Sequence, residues 1–158
     1  MLKYCETGIV FREFPDEVTL AINLSNCPHR CRGCHSTHLQ TDCGEELTDA
    51  ELDRLVSKYG KSITCVGFMG GDGDIESLVN LFRHAKELHP DIKVGWYSGN
   101  ENIDVGLYGM YRYLDYIKVG HYDPDKGPLD STTTNQKLYK KIGTGESDDL
   151  WEWVPMFK

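Results

Sequence analysis

Between Glu17 and Leu24 the apolar residues Val18, Leu20, Ile22 and Leu24 alternate with Thr19, Ala21 and Asn23. The chain then runs directly into Asn26-Cys27-Pro28-His29-Arg30-Cys31-Arg32-Gly33-Cys34-His35. Period two with β-branched residues specifies a strand. Three cysteines in the spacing C-x3-C-x2-C therefore sit on a loop at that strand's C-terminal end. The spacing is too tight for three packed core cysteines, and three is the wrong number for closed bridges. Thiolates placed this way can converge on one inorganic centre. A cubane of four irons takes four ligands, so three leave one iron open. An open position is what separates catalytic metal sites from structural ones.

The rest of the chain supplies a frame for this loop. Thr48-Asp49-Ala50-Glu51 reads as a capping box, followed by Leu52, Leu55, Val56 and Tyr59 at helical spacing and a stop at Gly60. Ser62 to Met69 is a near-continuous apolar run, as in strands covered on both faces, and Gly70-Gly71-Asp72-Gly73 breaks it. Asp74 caps a second helix through Ile75, Leu78, Val79, Phe82 and Ala85, which closes at His89-Pro90. Ile92, Val94 and Trp96 alternate into a third strand ending at Tyr97-Ser98-Gly99. A weak helix follows between Glu101 and Tyr113, interrupted by Gly106 and Gly109. Tyr116 to Val119 reads as a fourth strand, and Asn135 to Tyr139 as a short strand or turn.

Strand and helix alternate, which predicts a parallel sheet with right-handed crossovers. Ligands collect beyond the C-terminal strand ends of such sheets. The cysteine loop, the double glycine and Tyr97-Ser98-Gly99 all fall there. The expected fold is α/β: an incomplete (β/α) barrel with a mostly parallel sheet of about four or five strands. One domain is expected over 1–158, with its core at about 10–140 and an apolar tail at 150–158.

Composition narrows the function classes. A net charge of −8 argues against nonspecific nucleic-acid binding, which needs a basic face. No apolar run approaches the roughly 20 residues of a membrane span, and Met1 to Glu6 lacks the apolar stretch of a signal peptide. The expected compartment is cytoplasmic. There, six cysteines point to metal or redox chemistry rather than disulfides. Two alternatives stay open for the loop: zinc with His29 or His35 as fourth ligand, or a cluster closed by Cys43 and serving as an electron carrier. Cys5 and Cys65 read as inert, and His84, His89 and His121 as surface groups. Trp151 and Trp153 read as core packing, or as a docking patch if exposed.

The cysteine spacing after a first strand resembles the signature of the radical S-adenosylmethionine superfamily. Gly33-Cys34-His35 is similar to the Gly-Cys-His of glycyl-radical activating enzymes, and Gly70-Gly71-Asp72 to their Gly-Gly-Asp or Gly-Gly-Glu turn. Tyr97-Ser98-Gly99 resembles their Tyr-Thr-Gly. Asn135-Gln136, Val119-Gly120 and the short chain look most like the activating proteins of anaerobic ribonucleoside-triphosphate reductases. The resemblance spans roughly Val10 to Tyr139. It departs at Phe14-Pro15-Asp16-Glu17, where many relatives carry Gly-Pro-Gly, and at Thr133-Thr134, where they carry a serine pair.

The resemblance implies a 4Fe–4S cluster on Cys27, Cys31 and Cys34. It implies S-adenosylmethionine held near Gly33, His35, Gly70, Gly71, Asp72 and Ser98, with no side chain assigned as catalytic. Reduction of the cofactor would release methionine and a 5′-deoxyadenosyl radical. That radical would take a hydrogen atom from a glycine of the large reductase subunit. A flavodoxin-like electron donor is implied as a second partner. Activation of another glycyl-radical enzyme, or modification of a peptide, is the alternative within this chemistry.

Overall fold

The computed structural model describes residues 1–34, 36–143 and 151–156. Its strands are β1 (Lys3–Val10), β2 (Thr19–Leu24), β3 (Glu45–Glu46), β4 (Cys65–Met69), β5 (Lys93–Tyr97), β6 (Tyr116–Val119), β7 (Lys137–Lys141) and β8 (Trp151–Val154). Its helices are α1 (Asp49–Tyr59) and α2 (Ile75–Leu88). The strands form one mixed sheet in the order β3-β1-β2-β4-β5-β6-β7-β8. The four central strands, β2, β4, β5 and β6, pair in parallel. The flanking pairings are antiparallel. No helix among the described residues is long and apolar enough to cross a membrane.

Each face of the parallel centre is a rung of registered residues. Ile22, Phe68, Trp96 and Ile117 line up on one face, against Leu52, Leu55, Val56, Leu78 and Phe82 of the two helices. Ala21, Gly67, Gly95 and Tyr116 line up on the other. The small residues there leave a trough, and Phe14 fills it with no exposed surface. A Cβ at Gly95 would lie 2.4 Å from the Phe14 ring, and one at Gly67 would lie 2.9 Å from it. The Tyr97 hydroxyl donates to the carbonyl of Glu13 at 2.6 Å, and Tyr116 donates to that of Pro15 at 3.4 Å. Glu17 anchors the same segment, pairing with Lys93 at 2.7 Å and accepting from Thr64 at 2.6 Å. Burial of a phenylalanine this complete is worth roughly 1.5–3 kcal/mol. This cover explains why even the small and polar side of β2, Thr19 and Ala21, is buried.

Several sequence expectations need correction. β1 precedes the strand read as first; KYCETGIV mixes charge and glycine without a clean alternation. The capping box is half formed. The Thr48 hydroxyl accepts from Glu51 N–H at 3.1 Å, but the Glu51 carboxylate turns away to Tyr4 and Arg54. The weak helix shrinks to a 3₁₀ segment over Leu107–Arg112, with Tyr108 and Gly109 at positive φ. Cys5 and Cys43 are disulfide-bonded, against the expectation of free thiols. They are 38 residues apart, so no local spacing could signal the bond. His84 and His89 are not plain surface groups: each places Nε2 2.9 Å from an oxygen of Asp53, joining α2 and its end to α1. Trp151 is half-buried, whereas Trp153 is exposed on β8.

Candidate metal and cofactor site

The ends of four strands, β2, β4, β5 and β6, build the site. β2 delivers Ser25, and Asn26 turns the chain through a left-handed conformation, φ 59°. The Asn26 N–H donates to Thr41 C=O at 3.1 Å, and the Cys27 N–H donates to Leu39 C=O at 2.9 Å. These two bonds fix the base of the cysteine loop. On its far side Arg32 pairs with Asp125 at 2.5 Å, and Gly33 lies against Pro124. Cys27, Cys31 and Cys34 are half-buried free thiols within this one loop. The Cys34 N–H donates to Cys31 C=O at 3.2 Å, and the Cys34 sulfur accepts from the Ser36 N–H at 3.4 Å. Burial pushes the Cys27 thiol above its ordinary range, so binding a metal there must displace a proton.

The donor set suits iron and sulfide: soft thiolates on a short loop, with a backbone N–H directed at one sulfur. The side chains are not gathered into a ligand set of three among the described residues. Cys43 is removed as a fourth ligand by its bond to Cys5. His35 lies outside the described residues.

The second strand end is the turn after β4. Gly70 and Gly71 both have positive φ, 103° and 92°. A Cβ on Gly71 would meet Leu78 at 2.9 Å and Leu24 at 3.0 Å, so the double glycine has a structural cause of its own. The Gly70 carbonyl accepts from the Trp96 indole at 2.8 Å. Asp72 links this turn to the end of β5. Its carboxylate accepts from the Ser98 hydroxyl at 2.5 Å, the Gly99 N–H at 2.9 Å and the Asn100 amide at 3.3 Å. Ser98 is fully buried. Gly70, Gly71, Asp72 and Ser98 thus meet at one place. Asp72 holds that place together and presents little free surface.

His29 joins the cysteine loop to this junction. Its Nε2 lies 3.1 Å from an Asp72 oxygen, in contact but without a hydrogen bond between them. The ring rests on Gly99, where a Cβ would sit 2.6 Å from Cδ2.

The end of β6 adds a residue that motif reading missed. Lys118 of β6 is 8 % exposed, and its ammonium donates to Ser98 C=O at 3.0 Å and Gly120 C=O at 2.8 Å. Burial lowers its pKa to about 8, opposed by Asp72. The signal was present: a lysine inside the apolar Tyr116–Val119 strand is a buried charge, and buried charges are informative. A cleft of about 520 Å³ lies elsewhere, between Glu101, Ile117, Asn135 and Trp151.

A family model described as a 4Fe-4S single cluster domain matches residues 17–142. No curated protein and no solved structure matches the chain. The matched span takes in the whole parallel centre and the cysteine loop, and leaves out β1. The chain accordingly belongs to the family of 4Fe–4S single cluster domains.

Proposed function

We propose that this iron–sulfur domain is a radical S-adenosylmethionine enzyme that activates the large subunit of anaerobic ribonucleoside-triphosphate reductase by installing a glycyl radical. The observation that carries the reading is a juxtaposition. A loop with three free thiols faces a Gly-Gly-Asp turn tied to a buried serine, at adjacent C-terminal ends of parallel strands. When bound, the cluster and S-adenosylmethionine supply a one-electron cleavage of a carbon–sulfur bond.

The chain's own residues do the positioning. Cys27, Cys31 and Cys34 hold the cluster, and no fourth cysteine competes, because Cys43 is bonded to Cys5 and Cys65 is buried. Gly33, His35, Gly70, Gly71, Asp72 and Ser98 form the cofactor side. Lys118 adds a buried cation next to them, suited to a carboxylate. Phe14 packs the sheet face behind these strand ends, against Gly67, Gly95 and Tyr97. The open sheet is read as a partial (β/α) barrel whose free side admits a polypeptide loop. A flavodoxin-like protein is the proposed electron donor, and the cytoplasm the proposed compartment.

The test is anaerobic reconstitution with iron and sulfide, followed by strong reductant and S-adenosylmethionine. The expected products are 5′-deoxyadenosine and methionine, and a glycyl radical signal by electron paramagnetic resonance once the reductase is added. A fully loaded cluster yielding no 5′-deoxyadenosine overturns the reading and leaves an electron carrier.

A further inference from the structure

Cys5 is the extra residue in a β-bulge. Tyr4 pairs with Leu24 and Glu6 with Asn23, so β1 advances two residues while β2 advances one. A bulge re-aims a side chain out of its ladder, and here Cys5 bonds to Cys43. Both cysteines are partly exposed, so a reagent can reach the bond.

Cys43 ends the segment that holds the cysteine loop. Thr41 and Leu39, two and four residues earlier, supply the carbonyls that bind Asn26 and Cys27. Asp42 accepts from the Asn26 amide at 3.1 Å and pairs with Lys3 at 2.9 Å. From Ser36 to Cys43 no described side chain is buried. A segment without buried apolar contacts opens at low cost. Its attachment to β1 rests on exposed polar bonds and on this one covalent link.

We propose that Cys5 and Cys43 form a thiol–disulfide exchange site, reactive toward dithiols and small disulfides, whose state sets how firmly the loop carrying Cys27 is held. A dithiol's thiolate attacks one sulfur, the S–S bond breaks, and one cysteine leaves as thiolate and takes a proton. The reagent's second thiol then displaces the other cysteine. Two protein thiols and one reagent disulfide result, a transfer of two electrons and two protons. The oxidised form ties segment 36–43 to β1, and the reduced form releases it. The inference needs only the position of Cys27 and does not rest on the radical enzyme reading.

The test uses the full, metal-free chain equilibrated with reduced or with oxidised dithiothreitol. Amide exchange is read by NMR, and thiols are counted by alkylation after denaturation. The oxidised chain is expected to show four thiols, the free cysteines, and the reduced chain two more. Reduction is expected to speed exchange at Asn26 and Cys27 by about tenfold or more while α2 is unchanged. The Cys5→Ser/Cys43→Ser double variant is expected to exchange at the fast rate in either reagent. Equal rates at Asn26 and Cys27 in the two states overturn the proposal. So does equal acceleration in α2, which makes the bond a general staple, and so does a chain that keeps all its thiols in oxidised dithiothreitol.

Discussion

The imidazole of His29 lies on the Cα of Gly99, with Cδ2 placed 2.6 Å from where a methyl group would be. Two strand ends that never pair are thereby brought into contact by one ring. Gly99→Ala should push the ring off and strain the loop, at a cost of about 1–3 kcal/mol, as overpacking does. His29→Ala in the same chain should restore most of that loss. A double-mutant cycle by urea unfolding measures the coupling, and additive effects would refute the contact.

Phe14 makes a similar but deeper fit. Phe14→Ala should cost about 3–5 kcal/mol, the range for a buried phenylalanine. Gly95→Ala should cost about 1–3 kcal/mol in the native chain, because its methyl would meet the ring at 2.4 Å. In the Phe14→Ala background the same methyl enters empty space, and Gly95→Ala should then be neutral or stabilising. Thermal unfolding of the four proteins checks this.

Asp72, proposed above as a cofactor contact, should also carry part of the fold. Asp72→Asn turns an acceptor of three bonds into a group that presents a donor to donors. Leaving such buried groups unsatisfied costs about 1–3 kcal/mol. Stability should fall without cofactor present, and Ser98→Ala should do less harm. If Asp72→Asn alters S-adenosylmethionine binding by calorimetry but leaves unfolding unchanged, the linking role is wrong.

Acid sensitivity should localise to Glu51. Arg54 first, and then the Tyr4 hydroxyl, hold its carboxyl at about 2 instead of 4.5. A depressed carboxyl adds stability above the unfolded value and loses it as pH falls toward the folded one. From about pH 4.5 down to about 2 the native chain should therefore lose stability more steeply than Glu51→Gln. Melting curves across that window give the difference.

Iron analysis should separate the cysteines. Substituting Cys27, Cys31 or Cys34 by alanine should abolish a cluster of roughly four irons. The Cys5→Ala/Cys43→Ala double variant should still bind it, as should Cys65→Ala, whose thiol is buried and raised to about 12. Loss of iron from the double variant would place Cys43 among the ligands.

Much of the parallel centre was legible because its strands are runs such as Val66-Gly67-Phe68 and Val94-Gly95-Trp96, bounded by glycine turns and capped helices. The cysteine loop was legible because its spacing is local. β1 was not, since its pairing with β2 depends on a bulge at Cys5. The bracketing of Asp53 by His84 and His89 joins residues more than 30 apart, and no periodicity records that. Gly67 and Gly95 interrupt apolar strands, and nothing local in the sequence says why. They are the socket for Phe14, and a socket is visible only once strands lie side by side. Lys118 was readable in principle and was passed over as an ordinary strand residue.

The aromatic plug in that socket has a further consequence. Phe14 belongs to the segment that joins β1 to β2, yet its ring seats on Gly67 of β4 and Gly95 of β5 and stacks beside Tyr116 of β6. The β1–β2 hairpin therefore cannot peel away without uncorking three strands at once, which couples its opening to that of the parallel centre.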